Sequence, residues 1–156
     1  MIHASIDGFS RTITYIRCSD NNRAHTVLEL FREGVANFGL PECIRSDHGE
    51  ENVDVWRYMI AAHNDDLLCV ITGCSTHNER VERLWRDVHQ CVVTFSELFR
   101  ELEREGILDP LNDVDLYCLH HIFLPRINRC LGEFCESWNN HGLSTASNLT
   151  PNQLFF

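Results

Sequence analysis

The sequence contains no lysine: all 13 of its cationic side chains are arginine, against 23 aspartates and glutamates. The formal net charge is −10 at pH 7. This charge argues against a general nucleic-acid coat protein, because that class binds by neutralising phosphates with a cationic surface. A polyanionic partner would need a local arginine cluster or bound metal ions. The missing lysines also exclude the usual basic nuclear-import run.

Long hydrophobic runs are missing as well. No apolar run approaches the roughly 18 residues of a membrane helix, so no spanning segment is predicted and no membrane is expected as a partner. Residues 1–7 have neither the basic start nor the apolar stretch of a signal peptide. This predicts an intracellular protein, with nucleus and cytoplasm both open. Because no repeat, linker or low-complexity tract is present, residues 1–156 are expected to form one domain.

The eight cysteines include no C-x-x-C pair. Most of them lie in apolar stretches, which predicts free, buried thiols in a reducing compartment. The closest group with metal-ligand character is Cys69, Cys74 and His77, which has no fourth ligand at a zinc-ribbon spacing. No zinc site is therefore predicted.

Hydrophobic periodicity predicts strands that alternate with helices, which places the chain in the α/β class. Strands are predicted at residues 2–6, 12–17, 43–46 and 67–72, and helices at 22–38, 52–63, 76–106 and beyond 110. The long helix is expected to begin at a capping box of Thr76 and Glu79, and the last helix to be interrupted at Pro125. The apolar run 67–72 predicts a central, fully buried strand with parallel pairing.

Two acidic residues stand where functional groups are common in α/β folds. Asp47 follows a predicted strand, and Glu82 lies one turn into the long helix. Alone, Asp47 is an ordinary turn residue and Glu82 an ordinary solvated partner of Arg86. A helix that packs back across the sheet, after the 34 residues between them, would bring the two carboxylates together. A divalent cation would relieve their repulsion, and two such ions stabilise the attacking and leaving oxygens of phosphoryl displacement.

Four segments, in order, resemble the core (catalytic) domain of retroelement integrases and related transposases, in the ribonuclease-H-like superfamily. Residues 6–11 (IDGFSR) resemble the hairpin of that family, and residues 45–52 (RSDHGEEN) resemble its SDNG-type segment. Residues 77–86 (HNERVERLWR) are similar to its catalytic helix, and residues 138–141 (WNNH) with 149–155 (LTPNQLF) to its C-terminal ending. Together these segments cover nearly the whole chain.

The resemblance implies a ribonuclease-H-like mixed sheet flanked by helices, with a helical C-terminal part. It implies metal-dependent polynucleotidyl transfer on DNA, as in the DNA integration of a transposable element, with Mg²⁺ or Mn²⁺ as cofactor and DNA as partner. Asp47 and Glu82 match the second and third acidic positions of the family, which makes them the candidate catalytic and metal-binding residues.

The sequence departs from the family at the first acidic position. Asp7 matches the turn aspartate of the family hairpin, so it is predicted to be a turn residue and is a doubtful metal ligand. The family's first strand, which carries the first catalytic aspartate and lies centrally in the sheet, is expected to be missing from this chain. Two strand edges would then lack partners. Either the remaining strands close the gap, another segment or chain fills it, or the chain is a fragment of a longer protein.

Weaker candidates for nucleic-acid contact are His48 and three arginines on one side of the long helix, Arg80, Arg83 and Arg86. A surface turn and a solvated helix face are the ordinary interpretations of these residues. Two functions remain open at this stage. One is a polynucleotidyl transferase. The other is a catalytically inactive, domesticated or decayed integrase-derived module that binds a protein partner or forms a homodimer.

Overall fold

A computed structural model of the chain describes residues 1–73 and 79–156, with side chains from residue 81 onwards in the second range. Its strands are β1 (Ile2–Ile6), β2 (Ile13–Cys18), β3 (Ile44–Ser46) and β4 (Val70–Thr72). Its helices are α1 (Ala24–Phe38), α2 (Val53–Ala62), α3 (Glu79–Arg104), α4 (Asp113–Asn140) and α5 (Pro151–Phe155). The alternation of strands and helices agrees with the predicted α/β class. The predicted capping box includes Thr76, which lies outside the described residues.

The first two strands form an antiparallel hairpin in which Ile2 pairs with Cys18. Its turn is held by Asp7, whose Oδ2 accepts hydrogen bonds from the backbone N–H of Phe9 at 3.0 Å and of Ser10 at 2.6 Å. The Ser10 hydroxyl donates to the same oxygen at 2.7 Å. Short polar side chains that bond to nearby backbone favour turns over regular strand, which explains why the two strands separate here.

The third and fourth strands form a separate parallel ladder, with Ile44 opposite Val70 and α2 in the connection between them. Within the described residues, β1 pairs only with β2 and β3 only with β4. The expectation of one mixed sheet is therefore corrected to two two-stranded ladders. The remaining strands do not close the gap that the sequence predicted.

The prediction of a central, fully buried strand at residues 67–72 is wrong in two respects. Its second half is strand β4, but among the described residues β4 pairs only with β3, and Ile71 is 42% exposed. Its first half is not a strand. Leu67–Cys69 form a 3₁₀ turn, in which the side chains of Leu67 and Leu68 are 70% and 83% exposed. The carboxylate of Asp66 accepts a hydrogen bond from the Leu68 N–H at 2.9 Å. This side-chain cap competes with strand pairing, so only Val70–Thr72 extend as a strand.

Two clusters of buried side chains make up the core. The first cluster joins the hairpin to α3 and α4 and consists of Ile13, Leu84, Val88, Ile127 and Leu131. The second cluster joins α1, α2 and the 3₁₀ turn before β4 and consists of Val27, Phe31, Val55, Met59 and Cys69. Along β2, Ile16 packs against the first cluster and Tyr15 against the second. Helices therefore cover both faces of the hairpin, because successive strand residues point to opposite faces.

The outer edge of β2 is covered by two side-chain amides of α4. Asn139 accepts from the Ile13 N–H at 2.8 Å and donates to the Ile13 carbonyl at 3.0 Å. Asn128 makes the same pair of bonds with Cys18, at 2.7 and 3.0 Å. These contacts satisfy backbone groups that an edge strand otherwise leaves unpaired.

The helix α4 continues through Pro125, where an interruption was predicted. Phe123 and Ile127, on either side of the proline, pack into or against the first cluster. Tertiary packing of an apolar face outweighs the hydrogen bond that a proline removes. In the part of the chain that the structure describes, no helix is both long enough and apolar enough to cross a membrane.

The seven described cysteines are free, as predicted, but their burial differs from the prediction. Cys69 is buried, whereas Cys43 and Cys118 are exposed. Apolar neighbours in the sequence do not bury a side chain that lies on the outer side of its element.

Candidate functional site

The candidate acidic site begins with Asp47, which follows β3 directly and is exposed. The side-chain amide of Asn52 donates to Asp47 Oδ1 at 3.0 Å. The preceding Ser46 is also anchored, because its hydroxyl accepts from the Trp56 indole N–H at 2.8 Å. The loop after the strand is thus held to the start of α2, and Asp47 Oδ2 accepts no hydrogen bond from another described residue.

Glu82 is carried by the first turns of α3. Leu84 and Val88 fix this helix in the first cluster, with 0% and 2% of their surface exposed, while Glu82 is exposed. The ion pair of Glu82 with Arg86 that an ordinary helix surface would provide is not formed between these two described side chains. Glu82 therefore stands on a rigid helix with its carboxylate uncommitted to Arg86.

Asp47 and Glu82 line the same cavity, which has a volume of about 270 Å³. The structure thus brings together two side chains that are distant in the sequence. The cavity is also lined by Glu51 and Arg45, which the sequence analysis did not single out. Both lie in the same segment as Asp47, and the signal that could have found Glu51 is its position in the polar turn that leads into α2.

The cavity lies between the outer edges of β1 and β3, a space that we call the slot. Met1 and Ser19 exchange backbone hydrogen bonds of 2.8 and 2.7 Å. In an antiparallel pair, successive residues point their N–H and C=O groups alternately towards and away from the partner strand. The N–H and C=O groups of Ile2 and Ala4 therefore point away from β2. The Ser46 carbonyl accepts from the Gly73 N–H at 3.2 Å, on the β4 side. The backbone groups of its neighbour Arg45 consequently face the slot.

A second, larger cavity of about 940 Å³ extends the slot towards the hairpin turn, where Ser5, Ile6 and Asp7 line it. On the other side it is lined by Ile44 and Arg45 of β3. Asp7 therefore lies in the larger cavity, and Asp47 and Glu82 in the smaller one. The turn hydrogen bonds of Asp7 all use one of its two carboxylate oxygens.

Three of the weaker nucleic-acid candidates, Arg83, Arg86 and His48, do not line the smaller cavity. Arg83 and Arg86 are exposed on α3, and His48 is exposed beside Asp47. The backbone of Arg80 is part of α3, but its side chain lies outside the described residues.

The donor set of the smaller cavity fits a hard divalent cation better than a soft one. Among the side chains of residues 1–73 and 81–156, no three His, Cys, Asp or Glu groups lie closely enough together to hold a metal alone. Mg²⁺ commonly binds through one or two carboxylates, together with substrate phosphates and water. Asp47 and Glu82 can supply the carboxylates. The sequence predicted no zinc site at Cys69, Cys74 and His77. Of these residues, Cys74 and His77 lie outside the described residues.

Comparison with known proteins agrees with the geometry. The family model described as "Integrase core domain" matches residues 1–156. Among solved structures, the chain is similar to the integrase catalytic core domain of HTLV-2, in complex with magnesium in a trimeric form. The sequence identity is 13% and the TM-score 0.64, over 99% of this chain and 84% of that chain. No curated protein sequence matches this chain. At this identity, the structural likeness shows a shared fold.

Proposed function

Because the chain belongs to the integrase core domain family, we propose that Asp47 and Glu82 are its second and third catalytic acidic residues, in a metal-dependent polynucleotidyl transferase that acts on DNA. The observation that supports this proposal is their shared cavity at the end of β3. Carboxyl ends of strands are common positions for functional groups in α/β folds. The sequence spacing and the cavity are independent observations on the same two residues.

Each side chain has a distinct part in the proposed site. The Asn52 amide orients Asp47 through Oδ1, and Oδ2 is the oxygen that would bind a cation. Glu82 approaches from α3, whose position is set by packing in the first cluster. When bound, Mg²⁺ or Mn²⁺ supplies Lewis-acid stabilisation of the oxygens of a phosphodiester. Arg45, in the lining of the same cavity, contributes a positive charge for a phosphate group.

DNA contact needs local positive charge, because the whole chain carries a net charge of −10. Arg83 and Arg86 are exposed on the helix that carries Glu82, and we assign them phosphate contacts. We assign the same contact to Arg80 and to His48, the neighbour of Asp47, as weaker members of this surface.

The test measures Mn²⁺ binding by electron paramagnetic resonance, with DNA nicking in Mn²⁺ as a second readout. We expect Asp47→Asn and Glu82→Gln each to weaken Mn²⁺ binding at least about tenfold, because losing even an outer partner of a ligand costs 10–100-fold. Any nicking should fall with it. Glu103→Gln is the matched control, since Glu103 is an exposed carboxylate near the other end of α3 and should leave both readouts unchanged.

Equal Mn²⁺ affinity in all four proteins would contradict the proposal. If the wild type binds Mn²⁺ in a way that depends on Asp47 and Glu82 but does not nick DNA, this chain holds the cation site. The complete activity would then require groups from outside this chain.

A second candidate function is a catalytically inactive interaction module, and the slot favours it. Unpaired strand edges pair readily with an extended segment of another polypeptide. In the slot, the outer edge of β1 and that of β3 both border the same cavities. A chain without Mn²⁺ binding that associates through this edge would support the second candidate over the first.

A further inference from the structure

Two thiols approach each other where α3 packs on α4. Cys91 Sγ and Cys130 Sγ are 2.8 Å apart. Each thiol also lies near the backbone of the other residue: Cys91 Sγ is 3.7 Å from the Cys130 carbonyl oxygen, and Cys130 Sγ is 3.5 Å from that of Cys91. A disulfide bond measures about 2.05 Å, so the sulfur atoms need to approach by only about 0.8 Å more.

The surrounding core holds this pair in place. Val88 precedes Cys91 by one helical turn and Ile127 precedes Cys130 by one turn, and both are buried in the first cluster. Leu131, next to Cys130, is completely buried in the same cluster. Closure of a disulfide requires that two cysteines face each other without a large backbone movement, and two helices fixed by a common core meet this requirement.

The pair is not fully enclosed in the core. Cys91 and Cys130 are both half-buried, in contrast to Cys69, which is 3% exposed. Part of the surface of each residue is therefore in contact with solvent, whereas Cys69 is buried.

We propose that Cys91 and Cys130 form a dithiol modification site, which a small-molecule disulfide such as oxidised glutathione converts to an intramolecular disulfide. In the first step, one cysteine thiolate attacks the reagent, forms a mixed disulfide and releases one glutathione thiolate. In the second step, the other cysteine thiolate attacks the protein sulfur of the mixed disulfide and releases the second glutathione. The two protein thiols lose two protons and two electrons, and the reagent is reduced to two thiols.

The environment of Cys91 sets the pH dependence of closure. Burial, followed by the hydrogen bond and charge of Cys130 and the charge of Glu133, both on α4, raises the pKa of Cys91 to about 12. Each cysteine acts once as the attacking thiolate, so Cys91 must ionise in one of the two steps. We expect closure to be slow at pH 7 and to accelerate by about tenfold per pH unit up to pH 9.

The bond would join the two longest helices of the chain, across the connection between them. It removes conformational freedom from the unfolded state by closing a loop of about 40 residues. We expect the thermal midpoint of the oxidised chain to rise by about 10 °C, and to return to its original value when the disulfide is reduced.

The experiment treats the full chain with oxidised glutathione at pH 8.5 and maps disulfides by mass spectrometry of unreduced peptides. The expected product is a peptide pair that contains Cys91 and Cys130, together with the rise in thermal midpoint. Cys91→Ser and Cys130→Ser should each abolish both results. Cys118→Ser, which removes an exposed thiol on α4, is the matched control and should change neither.

The mapping of the wild-type chain decides the result even if a serine variant fails to fold. Recovery of Cys91 and Cys130 as unmodified thiols, as two separate mixed disulfides, or in bonds with other cysteines would overturn the proposal. A cross-link between them without a change in midpoint would refute the expected stabilisation.

Discussion

At the scale of single residues, three aspartate and glutamate side chains differ in how firmly the fold holds them. Asp7 accepts three hydrogen bonds within the hairpin turn. Asp47 accepts one, from the Asn52 amide, and Glu82 stands exposed on α3. Asp7 and Asp47 each keep one carboxylate oxygen without a hydrogen bond, but three bonds fix Asp7 in its turn beside the larger cavity, whereas Asp47 and Glu82 share the smaller one. This difference supports the assignment of Asp47 and Glu82, and a turn role for Asp7.

A residue-scale prediction concerns Tyr15, where burial raises the pKa to about 12 from an ordinary value of 10. The folded state holds the phenol proton more tightly than the unfolded state, so this contribution to stability is complete below pH 10. It is lost as the pH rises from 10 to 12. We expect the unfolding free energy of the wild type, relative to that of Tyr15→Phe, to fall over that range, measured by urea unfolding at pH 8, 10 and 11.

Tyr117→Phe is the control for this measurement, because Tyr117 is 69% exposed on α4. Its unfolding curve should follow that of the wild type at all three values of pH. A Tyr15→Phe curve that runs parallel to the wild type would show that the Tyr15 hydroxyl does not titrate differently on folding.

At the scale of elements, α4 organises the molecule by holding the edge of β2. Its asparagines replace a neighbouring strand, because each side-chain amide offers one acceptor and one donor at the spacing of a peptide group. Asn139 belongs to the segment WNNH that resembles the family's C-terminal ending. The resemblance pointed to the segment, and the contact with Ile13 gives a physical reason for that asparagine.

The corresponding prediction is a loss of stability in Asn139→Ala. The substitution leaves the N–H and C=O of Ile13, a residue that is 1% exposed, without partners. We expect unfolding free energy to fall by about 2–6 kcal/mol, from two buried backbone groups at about 1–3 kcal/mol each. Chemical denaturation provides the measurement. The neighbour Asn140 is exposed and bonds only within α4 and to α5, so Asn140→Ala should cost under about 1 kcal/mol.

Equal losses in the two variants would contradict this role of Asn139. They would indicate that the C-terminal end of α4 is stabilised by general packing and not by the bonds to Ile13.

At the scale of the whole molecule, the separation of the two ladders is the dominant feature. One edge of the hairpin is covered by α4, and the other edge borders the slot. Residues from both sides of the ladders, including Phe31 of α1 and Trp85 of α3, line the smaller cavity. The slot therefore lies between the helices on the two faces of the strands, at the level of the strand edges.

The whole-molecule prediction tests the slot edge with Ala4→Pro. The Ala4 N–H points away from β2, so proline there preserves the hairpin ladder and blocks pairing from the slot side. If a second copy of this chain pairs at the edge, sedimentation at high salt, which screens the charge of −10, should show association in the wild type. Ala4→Pro should weaken this association and raise its dissociation constant by about tenfold or more. Ala4→Val should leave the dissociation constant unchanged.

Identical sedimentation of the three proteins would exclude self-association through this edge. Circular dichroism should show the same helical signal in all three, which distinguishes a blocked edge from an unfolded chain.

Local patterns in the sequence determined the hairpin, the positions of α1, α2 and α3 and the placement of Asp47 at the end of a strand, but not the continuity of α4 through Pro125 or the short helix α5. These features depend on side-chain periodicity and turn chemistry within a few residues, so they are readable along the chain. The resemblance in four segments also indicated the family. The apolar run 67–72 marks the limit of this approach, because hydrophobicity alone does not distinguish a buried strand from an exposed 3₁₀ turn capped by Asp66.

Only the tertiary structure decided which edges pair, which remain open and which side chains meet. The separate ladders, the cover of β2 by Asn128 and Asn139, and the approach of Cys91 to Cys130 all join residues far apart in the chain. Such contacts depend on how helices and strands pack against one another. No sequence window contains both partners, so their geometry emerges only when the core has formed.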